Sequence, residues 1–202
     1  MRCTHGSLST VAMRLGSACS IVAAMAAVPP LDAATISVDV VRSVETIDVR
    51  ASTTVHADIA TAWHVLTDYE RFTEFIPDLL RSHVVARSGS KVTVEQSGFA
   101  VIWLLKMPVE VTFEIDENSP IGLHSRSVAG DLRSLTSRYA LTPVPSGTRL
   151  DYLGHLAPGF VLFGRIERSV IEHNIARRFQ ALADEMERQG ALARTHRDNG
   201  TR

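Results

Sequence analysis

From Val101 to Ile115 every second residue is apolar: Val101, Trp103, Leu105, Met107, Val109, Val111, Phe113 and Ile115 share one parity. In the second half of that run Lys106, Pro108, Glu110, Thr112 and Glu114 fill the other parity. Successive strand side chains point to opposite faces, so a period of two sustained this long requires an antiparallel sheet with one face buried. That face needs a cover, and the sequence offers one. A single helical pattern runs from Phe160 to Gln189, with Phe163, Ile166, Val170, Ile171, Ile175, Phe179, Leu182 and Met186 forming an apolar stripe. Arg165, Glu172, Arg177, Glu185 and Arg188 fall largely on the opposite face. A one-faced sheet and one long amphipathic helix together define an α+β fold in which the sheet bends around the helix.

The other elements fit between these two. Glu45 to Val55 alternates as a first strand. Asp58 is placed to cap a helix through Ala60, Ala62, Trp63, Val65 and Leu66. Thr67-Asp68 interrupts, and Tyr69, Phe72, Phe75 and Ile76 make a second short helix that Pro77 stops. Strands follow at 82–86, 92–96, 101–115, 121–128, 135–141 and 150–156, separated by turns such as Ser88-Gly89-Ser90, Asn118-Ser119-Pro120 and Gly130-Asp131. The expected order is therefore β-αα-β6-α over residues 45–189. Residues 35–44 read as a linker, Gly190 as the helix terminator, and 190–202 as a polar tail.

The N-terminus reads as an export signal over residues 1–34. Arg2 and Arg14 precede an uncharged, apolar stretch from Leu15 to Val28, and small residues offer cleavage sites either at Ala24-Met25-Ala26 within it or around Leu31-Asp32-Ala33-Ala34 after it. The stretch is about 14 residues long, short of the roughly 20 that span a bilayer. The alternative is a buried N-terminal helix. Both cysteines, Cys3 and Cys19, fall in this segment, so the mature chain would have neither disulfide nor thiolate. Too little apolar sequence precedes Cys19 for it to be a lipidation site. The expected location is periplasmic or secreted. A formal net charge of -1 with interspersed signs gives no basic surplus for nucleic acid.

At the first strand and the two helices, the stretch Val55-His56-Ala57-Asp58-Ile59-Ala60-Thr61-Ala62-Trp63-His64-Val65-Leu66-Thr67-Asp68-Tyr69-Glu70-Arg71-Phe72-Thr73-Glu74-Phe75-Ile76-Pro77 resembles a known signature. It is similar to the N-terminal part of the polyketide cyclase/dehydrase and coenzyme Q-binding branch of the START-like (helix-grip, SRPBCC) superfamily. The resemblance covers residues 45–189. It implies a deep apolar cavity between sheet and C-terminal helix, and hydrophobic ligands such as lipids, quinones or polyketides. The superfamily holds carriers and enzymes on one scaffold, so the fold alone does not assign chemistry.

No catalytic constellation is legible. The carboxylates Asp68, Glu70 and Glu74 sit together on what reads as a surface helix. Histidines at 56, 64, 83, 124, 155 and 173 are scattered singly, with no metal-ligand spacing, so neither metal nor cofactor is expected. No serine has a nucleophile-elbow context. Binding residues are expected on the inner sheet face, at Trp103, Phe113, Tyr139 and Tyr152, and around the mouth and helix, at Phe75, Ile76, Phe160, Phe163, Ile166 and Val170. Phe160-Val161-Leu162-Phe163 also suits transient membrane contact. Arg126 and Arg138 fall on the outer parity as solvated charges, the alternative being contact with a ligand's polar head where a bulge flips the local facing. The expected function is non-catalytic binding or carriage of a hydrophobic small molecule. The rivals are a cyclase/dehydratase using polar groups in the same cavity, and a membrane- or partner-binding module.

Overall fold

A computed structural model of the chain describes residues 36–43, 46–102, 105–158 and 168–200. All of them belong to one unit, Ala33–Arg202. The export signal over 1–34, both cysteines and the expected helix start at Phe160 lie outside the described residues.

Among the described residues, eight strands form one antiparallel sheet. They are β1 (Ser37–Arg42), β2 (Ile47–Val55), β3 (Leu79–Ser88), β4 (Lys91–Ile102), β5 (Leu105–Asn118), β6 (Gly122–Gly130), β7 (Leu132–Val144) and β8 (Gly147–Pro158), in the spatial order β1-β2-β8-β7-β6-β5-β4-β3. β2 shows how alternation fixes facing: Ile47, Val49, Ala51, Thr53 and Val55 are buried while Asp48 and Arg50 face water. The stretch 35–44 is not only a linker, because β1 pairs with β2 from Ser37↔Ser52 to Arg42↔Ile47. The adjacent apolar pair Val40 and Val41, one buried and one exposed, breaks the period that would have marked it.

The long alternating run is also not one strand. β4 ends at Ile102 and β5 starts at Leu105, with Ile102 opposite Leu105. Antiparallel partners share a face. The pairs Val92↔Ile115, Val94↔Phe113 and Ala100↔Met107 therefore put even residues of β4 beside odd residues of β5. Val101 pairs with Lys106 instead, on the face opposite Met107. Leu105, at the tip of this pair, is 61% exposed rather than inward.

Asp58 caps α1 (Ile59–Thr67), its carboxylate accepting the Thr61 N–H at 2.8 Å. Ala62, Val65 and Leu66 form the buried side of that helix. A 3-10 turn, Tyr69–Arg71, leads into α2 (Phe72–Phe75), which ends where Ile76 turns extended ahead of Pro77. Asp78 then takes φ 61°, and its carbonyl accepts the Phe99 N–H at 2.8 Å. Gly98 permits this approach: a Cβ there would stand 2.3 Å from the Asp78 oxygen.

The last helix, α3 (Arg168–Gly200), spans about 50 Å at the usual rise. It does not stop at Gly190. That glycine is buried inside the helix, where a Cβ would meet the His56 oxygen at 2.8 Å, so its small size serves packing rather than termination. Glu185, expected on the charged face, is also buried, its carboxylate held by Arg188 and Gln189. α3 packs on α1, β1 and β2. It also reaches β4, where Asn174 donates to the Val101 carbonyl at 2.6 Å. In a flat sheet β2 and β4 would stand about 24 Å apart, five strand spacings. A helix about 10 Å wide touches both, so the sheet curls around it. No described helix is long and apolar enough to cross a membrane.

Candidate ligand cavity

The curl leaves a cavity of about 390 Å³ between sheet, α1–α2 and α3. Its sheet wall includes Val109, Val111, Phe113 and Ile115 of β5, Leu123 of β6, Leu135 and Tyr139 of β7, and Tyr152 and Leu156 of β8. Leu66, Phe72 and Ile76 close it from the N-terminal helices, and Ile175, Phe179 and Leu182 from α3. These residues arrive there because each strand sends its apolar parity inward and α3 lays its stripe across the opening. The volume falls within the usual range for small-molecule pockets.

Polar groups in the wall are few and specific. Tyr139 and Tyr152 face each other with ring centroids 4.7 Å apart, and Tyr152 lies 6.4 Å from the Phe179 ring. Burial pushes the Tyr152 phenol up to about 12, with the neighbouring Ser137 hydroxyl partly opposing it. Burial raises Tyr139 further still, and its neighbour Tyr152 adds to the effect. Ser137 and Ser125 hydroxyls bond one another at 2.7 Å. At the α1 end the Tyr69 hydroxyl donates to Glu117 at 2.9 Å, and Arg87 holds the other Glu117 oxygen at 2.9 Å. Burial first and Glu117 second raise the Tyr69 phenol well above its ordinary value.

Arg178 is the one charged side chain among the described lining residues. Its guanidinium donates to the Phe99 carbonyl at 3.0 Å. The side chain is exposed and borders the cavity. Burial lowers its affinity for its proton, and the opposing pull of Asp78 and Tyr139 does not cancel that. A guanidinium nevertheless stays charged at any ordinary pH. Among the described lining residues there is no carboxylate, histidine or cysteine. Nor do the described residues contain a cluster of three or more potential metal ligands.

Of the binding residues expected from sequence, Ile76, Phe113, Tyr139 and Tyr152 border the cavity. Phe75 does not. Its ring packs edge-on to Phe72 at 5.7 Å, and Phe72 takes the wall position. Val170 packs instead against the apolar cluster of Val40, Ile47, Val49 and Ile171, of which Val49 borders the cavity and Val170 does not. Trp103, Phe160, Phe163 and Ile166 lie outside the described residues. Asp68 and Glu74 flank Arg71, and Glu70 meets His83, all away from the cavity wall. Arg126 pairs with Glu114, and Arg138 is exposed. Arg178 is the one charged residue among the described lining residues that the sequence reading did not single out. Its signal was available, since it lies three residues after Ile175 and four before Leu182, within the apolar stripe.

The fold has solved counterparts. A STAR-related lipid transfer protein from Xanthomonas axonopodis superposes with a TM-score of 0.63 at 13% identity, over 77% of this chain and 94% of that one. The Zhui aromatase/cyclase from Streptomyces sp. R1128 gives 0.58 at 14% identity, over 71% and 95%. A START superfamily protein from Mycobacterium smegmatis gives 0.53 at 12% identity, over 74% and 99%. At these identities the likeness is one of fold. No curated protein sequence matches the chain. The sequence profile of one family, described as polyketide cyclase / dehydrase and lipid transport, matches residues 46–190. With that match over most of its length, and with a helix-grip fold, the chain belongs to the polyketide cyclase / dehydrase and lipid transport family.

Proposed function

We propose that the chain is an exported, non-catalytic carrier of a hydrophobic small molecule of the lipid, quinone or polyketide-like kind. The observation that supports this most is the chemistry of the cavity wall. It is largely apolar, and its ionisable groups among the described residues are three phenols and one guanidinium. Burial holds all three phenols above the range in which they would exchange protons near neutral pH. The guanidinium is permanently charged. Acid–base catalysis works best with a group whose pKa lies near the working pH, and none of these four meets that condition. Burial of about 300 Å² of ligand would contribute roughly 7 kcal/mol before the costs of association, which suits micromolar binding.

The test is native extraction from the host followed by mass spectrometry of bound small molecules. A stoichiometric hydrophobic compound supports carriage. An empty protein that also ignores hydrophobic fluorescent probes refutes it. The enzyme reading draws on the likeness to the Zhui aromatase/cyclase. Turnover of a bound polyketide that stops in Tyr139→Phe or Tyr152→Phe would establish it in place of carriage. Export is tested by cell fractionation and by the N-terminus of the recovered protein, which should begin near residue 34. Membrane contact through Phe160–Phe163 is tested by liposome flotation of Phe160→Ser and Phe163→Ser, with probe binding as the control for folding.

A further inference from the structure

We infer that the ligand is an amphiphile with a carboxylate head, received by Arg178 with the Tyr139 hydroxyl as a second donor, its apolar tail filling the rest of the cavity. This rests on the carrier reading and adds the chemical class of the cargo.

Arg178 lacks a partner of opposite charge among the described residues. Arg178 borders the cavity, and among the described residues no carboxylate lies within ion-pair distance of it. The nearest acid that acts on it, Asp78, is already shared between Lys106 at 3.2 Å and Arg177 at 3.4 Å. One carboxylate therefore serves two other cations before it reaches Arg178. A guanidinium carries five N–H donors and cannot shed its proton to relieve burial. The Phe99 carbonyl engages one of its nitrogens. Arg178 is exposed and borders the cavity, and its remaining donors have no acceptor among the described residues, so a ligand that displaces their water must supply one.

A second donor points the same way. The Tyr139 hydroxyl makes no hydrogen bond with any described residue, yet it is not sealed in, since no buried polar side-chain atom lacks a partner. It therefore keeps surface toward the cavity, and it is close enough to Arg178 for the two to interact electrostatically. Its neighbour Tyr152, by contrast, has Ser137 beside it. A neutral sterol or quinone would leave the Arg178 charge uncompensated. A carboxylate presents two oxygens to the planar guanidinium fork and returns the local charge to balance. A phosphate dianion would need a further cation, and the candidates, Lys106 and Arg177, are engaged by Asp78.

Fluorescence titration of the full chain with cis-parinaric acid and its methyl ester, at mildly alkaline pH, tests this. The two probes share a tail and differ in head charge. The acid should bind about tenfold to a hundredfold more tightly than the ester, the worth of a charged hydrogen-bonded contact. Arg178→Gln should erase that preference while still binding the ester, which also reports an intact cavity. Tyr139→Phe should reduce it a few-fold. Arg138→Gln, an equal charge change on the exposed side chain of β7, should leave it unchanged. An alkyl phosphate of matched length should bind no better than the acid. Ester binding without preference for the acid in the unaltered chain overturns the carboxylate inference and leaves the carrier reading standing, and no variant is needed to see it. A preference that survives Arg178→Gln overturns the role of Arg178. Binding of neither probe overturns both readings.

Discussion

Gly154 is where the cavity can be closed with the least change to the sheet. It lies on β8 between Val49 of β2 and Ser137 of β7. A Cβ at this position would stand 2.4 Å from the Tyr152 hydroxyl oxygen and 2.8 Å from its ring carbon Cζ. Both residues border the cavity, so the Tyr152 ring has empty volume to move into. Gly154→Val adds three carbons to that wall. If each displaces one ligand methylene, at about 0.8 kcal/mol apiece, binding weakens by about 2.4 kcal/mol, roughly sixtyfold. Gly154→Ala should weaken it about fourfold by the same reckoning. Stability should move much less. Overpacking costs about 1–3 kcal/mol in a filled core, but here a void takes up the displaced ring, and replacing a strand glycine recovers about 0.5–1 kcal/mol. The assay is titration with the neutral parinaric ester, alongside urea unfolding of each variant. Leu153→Val, at a half-exposed neighbouring position, serves as the control. Unchanged affinity in folded Gly154→Val refutes the assignment of this cavity as the binding site.

Three further outcomes follow from the same packing. Tyr152 titrates at about 12 in the fold against 10 when unfolded, so the folded chain holds its proton more tightly. That contribution is complete below pH 10 and disappears as pH rises toward 12, and about 3 kcal/mol of stability is lost across the window. Urea midpoints from pH 9 to 12 should fall, and less steeply in Tyr152→Phe; equal slopes refute the assignment. Gly190→Ala should destabilise the protein, although alanine is the better helix former by about 1 kcal/mol. Its Cβ would meet the His56 oxygen at 2.8 Å and the Ala57 Cβ at 2.9 Å, so a gain in melting temperature would show that the contact yields freely. Glu187→Ala removes the buried carboxylate that accepts the His56 N–H at 2.7 Å, and urea unfolding should register a loss of about 1–3 kcal/mol.

Much of the fold was legible because it is written in periodicities. β2 and the six strands after α2 carry alternation, and Ile171, Ile175, Phe179, Leu182 and Met186 mark the buried side of α3. The failures have local causes. Val101 seemed continuous with Met107 because the β4–β5 connection falls inside an unbroken alternation, and only the pairing reveals that the parity changes face there. Gly190 looked like a stop because a glycine ending an apolar pattern has the same spelling as one admitting a close neighbour. The neighbour, His56–Ala57, is far away in sequence. Phe75 and Phe72 are both aromatic on a single turn, and which of them reaches the cavity depends on where α2 docks. Arg178 was obscured by Arg177. A helix turns about 100° per residue, and that separation lets Arg178 border the cavity while Arg177 reaches Asp78.

That separation explains how α3 combines two tasks. Its middle, through Ile175, Arg178, Phe179 and Leu182, borders the cavity. Its later turns, through Ala183, Met186 and Gly190, are buried outright, and Gly190 closes on the loop that precedes α1. The carboxylates Glu185 and Glu187 are buried in this later part with their partners supplied by Arg188, Gln189 and His56. Every buried charge in that part is thus matched within the protein, whereas Arg178, exposed at the cavity wall, has no carboxylate partner among the described residues. Buried charges ordinarily come paired because an unpaired one costs several kcal/mol. The chain meets that requirement internally where the helix anchors the fold, and a ligand that took Arg178 out of water would have to meet it at the cavity. A molecule that supplies both apolar bulk and a negative charge would satisfy the cavity and Arg178 together.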